Sequence, residues 1–285
     1  MKRVLVTGSS GFVGSHLVSS LNLKGYDIVR FSRKEKKNVL NTLDFENIGD
    51  IDIVFHLAAI ANVPLSWEIP KDVLETNIMG TLNVLSFAKK KKAKIIFANS
   101  YVYGVPQYLP IDEKHPLSAE NPYAVSKISA ESLCQIYSKR FGLSVTSFRF
   151  FNIYGPGQAE NMVISQMIKQ LKSEGGITIM DSKPKRDFVF IDDVVKAYIL
   201  AAESNSNGFE IFNIGSGRSF SIKEIANNLL NIAGVNPDKL LDNNHPRPND
   251  IAETLADITK AKNVLHWEPM VSFQDGLERT FNTLV

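Results

Sequence analysis

Tyr123 stands four residues before Lys127 in the stretch Pro122-Tyr-Ala-Val-Ser-Lys127. On a helix those positions share one face, so phenol and ammonium would point into the same space. A free phenol titrates near ~10, too high for proton exchange at neutral pH, and a neighbouring cation favours the phenolate. The pair is therefore a candidate general acid/base. Upstream, Thr7-Gly8-Ser9-Ser10-Gly11-Phe12-Val13-Gly14 follows an apolar run and opens a helical pattern. Gly8 permits a tight turn, Gly11 lets backbone approach a phosphate, and Gly14 lets the helix pack closely. The free N–H groups and the dipole of such a helix suit a pyrophosphate, so the expected ligand is a dinucleotide.

Alternating elements must position these groups. Val4–Val6, Asp27–Phe31, Ile53–His56, Lys94–Ala98 and Ser144–Phe150 read as buried strands. Phe12–Lys24, Asp72–Lys91 and Pro122–Phe141 read as helices between them. The alternation implies βαβ units and a parallel sheet covered on both faces. After Asn152 the pattern loosens. Helices are expected near 159–174, 192–204, 221–233, 257–265 and 273–283, with short strands near 177–180, 188–190 and 210–214. The second strand runs into Ser32-Arg33-Lys34, without the acid that usually holds the adenosine ribose. Arg33 can meet a 2′-phosphate with a forked contact, and Ser32 can add a donor. This favours NADP(H), with NAD(H) as the alternative.

These stretches, with His56-Leu-Ala-Ala59, Asn77 and Tyr101-Val-Tyr-Gly104, occur in an order that resembles a known family. It is the extended short-chain dehydrogenase/reductases that act on nucleotide sugars: 4-epimerases, 4,6-dehydratases and 4-ketoreductases. The likeness continues through Arg149-Phe-Phe-Asn152, Arg186-Asp187-Phe188, Asn213-Ile-Gly-Ser-Gly217 and Arg247-Pro-Asn-Asp250, nearly the whole chain. It implies an α/β fold: a Rossmann-type doubly wound parallel sheet over residues 1–152. A smaller mixed α/β substrate lobe would occupy 153–285, with some segments returning to the main sheet. It also implies residue roles. Gly8, Ser10, Gly11, Phe12 and Val13 would line the pyrophosphate, and Asn38-Val39 would lie near the adenine. Leu57, Ala58 and Ala59 would run along the cofactor, and Asn77 would anchor the active-site helix. Phe151 would lie near the nicotinamide. Tyr101, Asn152, Arg186, Arg247 and Asp250 would face the nucleotide-diphosphate sugar. Where relatives carry the catalytic Ser or Thr, this chain has Asn99, so Asn99 or the adjoining Ser100 is expected to orient the reacting oxygen beside Tyr123 and Lys127.

Three functions follow. The leading expectation is NADPH-dependent reduction of a nucleotide-linked 4-keto-6-deoxyhexose. The alternative is a nucleotide-sugar 4-epimerase with retained NAD. The third, motivated by Asn99, is a cofactor-binding sensor without turnover. A dehydratase fits less well, because Ser100-Tyr101 stands where those members carry an acidic pair.

Composition narrows the setting. The 285 residues are 44% hydrophobic with a net charge of +2, so no nucleic-acid or membrane partner is expected. The chain opens on a strand-like run, and no signal peptide is expected. Cys134 is the single cysteine, which excludes an internal disulfide and suggests a reducing, cytoplasmic location. The five histidines show no metal-ligand spacing. The resemblance also implies a homodimer through helices near 72–91 and 122–141.

Overall fold

The computed structural model describes residues 2–247 and 250–283. Pro248 and Asn249, the middle of the Arg247–Asp250 stretch, lie outside the described residues.

The apolar runs form strands β1 (Arg3–Thr7), β2 (Asp27–Phe31), β3 (Ile53–His56), β4 (Lys94–Ser100) and β5 (Val145–Phe150). Later strands are β6 (Asn152–Tyr154), β7 (Ile177–Ile179), β8 (Lys185–Phe190), β9 (Phe209–Ile214), β10 (Ser219–Ser221) and β11 (Leu240–Asp242). Among the described residues, six strands pair in the order β2-β1-β3-β4-β5-β9, all parallel. The strand order reverses direction beside β1, and the crevice beyond the carboxyl ends of β1 and β3 is where such sheets bind ligands. The second half contributes β10-β8-β6 and β11-β7 as smaller sheets. It also supplies β9 to the main sheet, across the division expected at 152.

The helices are α1 (Phe12–Leu23), α2 (Val63–Glu68), α3 (Pro70–Leu74), α4 (Gly80–Lys91), α5 (Pro122–Phe141), α6 (Val163–Glu174), α7 (Ile191–Glu203), α8 (Ile222–Ala233), α9 (Thr259–Leu265) and α10 (Phe273–Thr283). Successive side chains of a strand point to opposite faces. Val4 and Val6 accordingly join Leu17 and Leu21 of α1 and Tyr198 of α7 in one core. Leu5 joins Val84 and Leu85 of α4 and Ala130 and Cys134 of α5 in the other. Both faces of the sheet are thereby covered.

Several boundaries differ from the sequence expectation. The helix expected over 72–91 is broken into α3, a π-turn at Glu75–Met79, and α4. Such turns insert one residue and often mark functional positions. Here the π-turn carries Asn77. Helix α6 starts at Val163 rather than 159, because residues 159–162 form a turn closed by Met162 N–H on Ala159 O. Helix α2 falls in a stretch for which no element was expected. It is short, and Asn62 caps it by accepting from Leu65 N–H at 2.8 Å.

Candidate active site

A cleft of about 430 Å³ opens at the carboxyl end of the main sheet. Gly8, Gly11, Phe12, Val13 and Gly14 line one end; Ser100, Tyr123, Lys127, Phe151 and Asn152 line the middle. The glycine turn is shaped by contact. Gly8 has φ +71°, and a Cβ there would stand 2.8 Å from Ala58 N; one on Gly14 would collide with Gly8 O. Gly11 caps α1 with no side-chain bond, and no acid stands in the first turn. The leading N–H groups of α1 therefore remain open to an anion. Thr7 Oγ1 accepts from Leu57 N–H and Ala58 N–H at 3.2 Å, which fixes the backbone after β3 against the turn.

A chain of bonds sets the catalytic helix. His56 lies between Thr7 Oγ1 (2.8 Å) and Thr81 Oγ1 (2.9 Å). Thr81 donates to Asn77 O, Asn77 donates to Ser126 Oγ at 2.9 Å, and Ser126 donates to Tyr123 O at 2.7 Å. Asn77 also closes both ways on Ile60. Burial pulls the His56 imidazole down to about 3, so it packs neutral. Between pH 3 and 6.5 the unfolded chain then takes a proton that the folded chain refuses. Stability is expected to fall as pH drops through that window, by at most about 1.4 kcal/mol per unit from this residue. Urea melts of wild type and His56→Gln should show a shallower acid dependence in the variant; identical curves would remove His56 from the account.

Tyr123 and Lys127, four residues apart on α5, share the cleft. Lys127 is buried, donates to Ala98 O at 2.5 Å and lies over the Phe97 ring at 4.4 Å. Burial draws its ammonium down to about 8, against the opposing effects of Cys134 and Glu131. Burial pushes the Tyr123 phenol up, and only the Ser100 hydroxyl pulls it back. The lysine ammonium is turned to a strand carbonyl.

Asn99 is spent elsewhere. It is 3% exposed; its Nδ2 donates to Glu131 Oε2 at 2.7 Å and its Oδ1 accepts from Ser100 N–H at 2.9 Å. Glu131 also receives Ser147 Oγ at 2.7 Å and Arg149 Nη2 at 2.5 Å. Arg149 continues to Tyr103 Oη at 3.1 Å. Asn99 Oδ1 and one of its two Nδ2 hydrogens are thus committed to the protein, while the residue still lines the cleft. Ser100 Oγ is buried and lies near enough to the Tyr123 phenol to pull its pKa back, but it completes no hydrogen bond of good geometry with any protein group. A buried hydroxyl without a partner is costly unless a ligand completes it.

Other expected residues spread out. Leu57 and Ala59 line the cleft. Ser10 is exposed on the glycine turn. Val39 is core, packed with Phe31 and Phe45, and Asn38 closes a turn on Leu40 N–H. Neither lines the cleft. Tyr101 bonds Gly104 O and stacks edge-on to Phe151. Arg186 pairs with Asp250 at 2.6 Å and donates to Ile251 O, so Asp250 holds the arginine. Arg247 is exposed; burial lowers the Arg186 pKa, and the nearby Arg247 charge adds to that against Asp250. Asn152 Nδ2 donates to Asp187 O at 2.9 Å. Arg33 is exposed, and Ser32 bonds Glu35. The cationic grip expected for a 2′-phosphate is therefore not assembled. Glu35, Glu131 and Ser126 were not singled out from sequence. Glu131 could have been, since it lies four residues beyond Lys127 on the same helical face.

The glycine cradle, the open helix end and the unsatisfied Ser100 hydroxyl fit a dinucleotide and a polar substrate. They define a dinucleotide-dependent oxidoreductase site on a doubly wound sheet. The model of the NAD dependent epimerase/dehydratase family matches residues 4–215, and the chain belongs to that family, within the extended short-chain dehydrogenase/reductase enzymes. It is similar over its length to the UDP-glucose 4-epimerase of Thermotoga maritima solved with UDP-glucose: 30% identical, covering 99% of this chain and 98% of that one, TM-score 0.92. The UDP-glucuronic acid 4-epimerase of Bacillus cereus, in complex with UDP-glucuronic acid and NAD, is 31% identical over 99% and 98%, TM-score 0.90. RMD from Pseudomonas aeruginosa, complexed with NADPH, is 28% identical over 100% and 99%, TM-score 0.91. No helix among the described residues is long and apolar enough to cross a membrane.

Proposed function

We propose that the protein is a nucleotide-sugar 4-epimerase that keeps NAD through each turnover. The observation that carries this reading is the buried, unpartnered Ser100 hydroxyl beside Tyr123, in a cleft that runs on to the glycine turn. When bound, NAD supplies a reversible hydride acceptor for the sugar C4. Tyr123 would take the proton of the 4-hydroxyl and return it after the sugar has turned over. Ser100 Oγ would hold the 4-oxygen through both steps, in place of Asn99. Lys127 would hold the nicotinamide ribose, and Arg186, with Asn152 and Arg247, the sugar-nucleotide diphosphate. The two UDP-sugar 4-epimerases above support this over the ketoreductase expectation, and the exposed Arg33 takes away the reason for preferring NADP(H). Exposed Val125, Ile136 and Phe141 on α5 suit a homodimer in which α4 and α5 pair across the interface.

The test is conversion of UDP-glucose to UDP-galactose, followed by proton NMR with no cofactor added, together with mass spectrometry of released nucleotide. Epimer formation and bound NAD are expected. Turnover only with added NADPH and a 4-keto substrate would return the function to ketoreduction; tight NAD binding with no turnover would return it to a sensor. Within this reading Ser100→Ala lowers kcat about 100-fold, the loss of one positioned donor. A drop under threefold would mean that Ser100 does not touch the reacting oxygen.

A further inference from the structure

We propose that Glu35 sets the choice of cofactor, receiving the adenosine-ribose hydroxyls and repelling a 2′-phosphate. The proposal rests on the reading that the cleft takes a dinucleotide.

Strand β2 ends at Phe31, whose carbonyl accepts from Gly8 N–H at 2.8 Å. The end of the strand and the glycine turn are thereby joined. Ser32 then caps a short 3-10 turn, Arg33–Glu35, and Lys36 at φ 56° reverses the chain. That turn swings the Glu35 side chain back over the end of the strand. Its Oε2 accepts from Ser32 Oγ and, at 3.2 Å, from Ser9 Oγ of the glycine turn. One carboxylate oxygen thus bridges the two segments that frame the adenosine end of the crevice. In doubly wound sheets the corner past the second strand is where a carboxylate meets the ribose hydroxyls. Most such chains place it at the strand end. Here that position is Ser32, and the acid arrives three residues later through the turn.

The charges decide between the two cofactors. A ribose 2′-hydroxyl donates to a carboxylate in a charge-assisted bond. A 2′-phosphate brings a charge near −2 to the same spot, where an acceptor-only group repels it. Arg33 and Lys34 precede Glu35 on the exposed side of the turn. Their presence in the sequence suggested the opposite preference, and the fold of the turn reverses it.

Calorimetric titration of NAD and NADP into protein stripped of bound nucleotide tests this. Wild type is expected to bind NAD at least 100-fold more tightly than NADP. Glu35→Gln, with its thermal melt unchanged, should bring that ratio below tenfold. Glu35→Ala, which removes the side chain from a surface turn, should do the same. A ratio that stays near 100-fold in both variants, or a wild type that takes NADP as readily as NAD, overturns the assignment. Neither measurement involves the sugar. Collapse of the ratio in a protein that fails to epimerise would keep Glu35 in this role and discard the epimerase reading.

Discussion

Under the proposed 4-epimerase function, Tyr123→Phe is expected to lower kcat about 1,000-fold while NAD still binds within about threefold. Phenylalanine keeps the ring and removes the oxygen that exchanges the proton, and general acid/base groups contribute about 10²- to 10⁴-fold. The phenol is pushed up by burial in this structure, with Ser100 as the opposing influence. The Lys127 ammonium faces Ala98 O. Stopped-flow or endpoint assays with the variant decide the matter. A kcat within tenfold of wild type would remove Tyr123 from the chemistry.

Glu131→Gln is expected to cost about 3–5 kcal/mol of stability, the range for stripping one partner from a buried ion pair. The carboxylate receives Asn99, Ser147 and Arg149 at once, and both charged side chains are almost wholly buried. The amide would leave Arg149 charged in the interior with a neutral partner. For a chain of this size that corresponds to a fall in melting temperature of roughly 10 °C. Replacing both partners, Glu131→Leu with Arg149→Met, should recover part of the loss, since apolar substitutes remove the desolvation cost of the pair. A single variant that melts within 2 °C of wild type would show that the pair carries little of the fold. Asn99 is anchored by the same carboxylate, so the variant also tests whether β4 still presents Ser100 correctly.

Much of this architecture was legible because its signals are local. Apolar runs gave the five leading strands, and glycines at 8, 11 and 14 announced the turn. Tyr123 and Lys127 were found by helical spacing and do share the cleft. What the sequence concealed depends on side-chain direction. Asn99 looked available because its position matches a catalytic one, but Glu131 competes for its amide across α5. Arg33 looked like a phosphate ligand because cations are conspicuous, while the 3-10 turn that lifts Glu35 over the strand leaves no periodic trace. Strands of three residues such as β6, β10 and β11 are too short to show alternation. The π-turn at Asn77 differs from an ordinary helix by one inserted residue, which apolar spacing over a single turn does not resolve.

Strand β9 reaches the main sheet from beyond residue 200 and pairs with β5 along six positions, from Val145↔Phe209 to Phe150↔Ile214. The cofactor half is therefore not a separable module. A fragment ending near residue 152 would expose the whole ladder edge of β5, with buried Val145, Phe148 and Phe150 beside it. Open apolar edges of that kind recruit other chains. Truncated protein should thus clump, and a nascent chain can close this sheet only once residues 209–214 of its 285 have emerged.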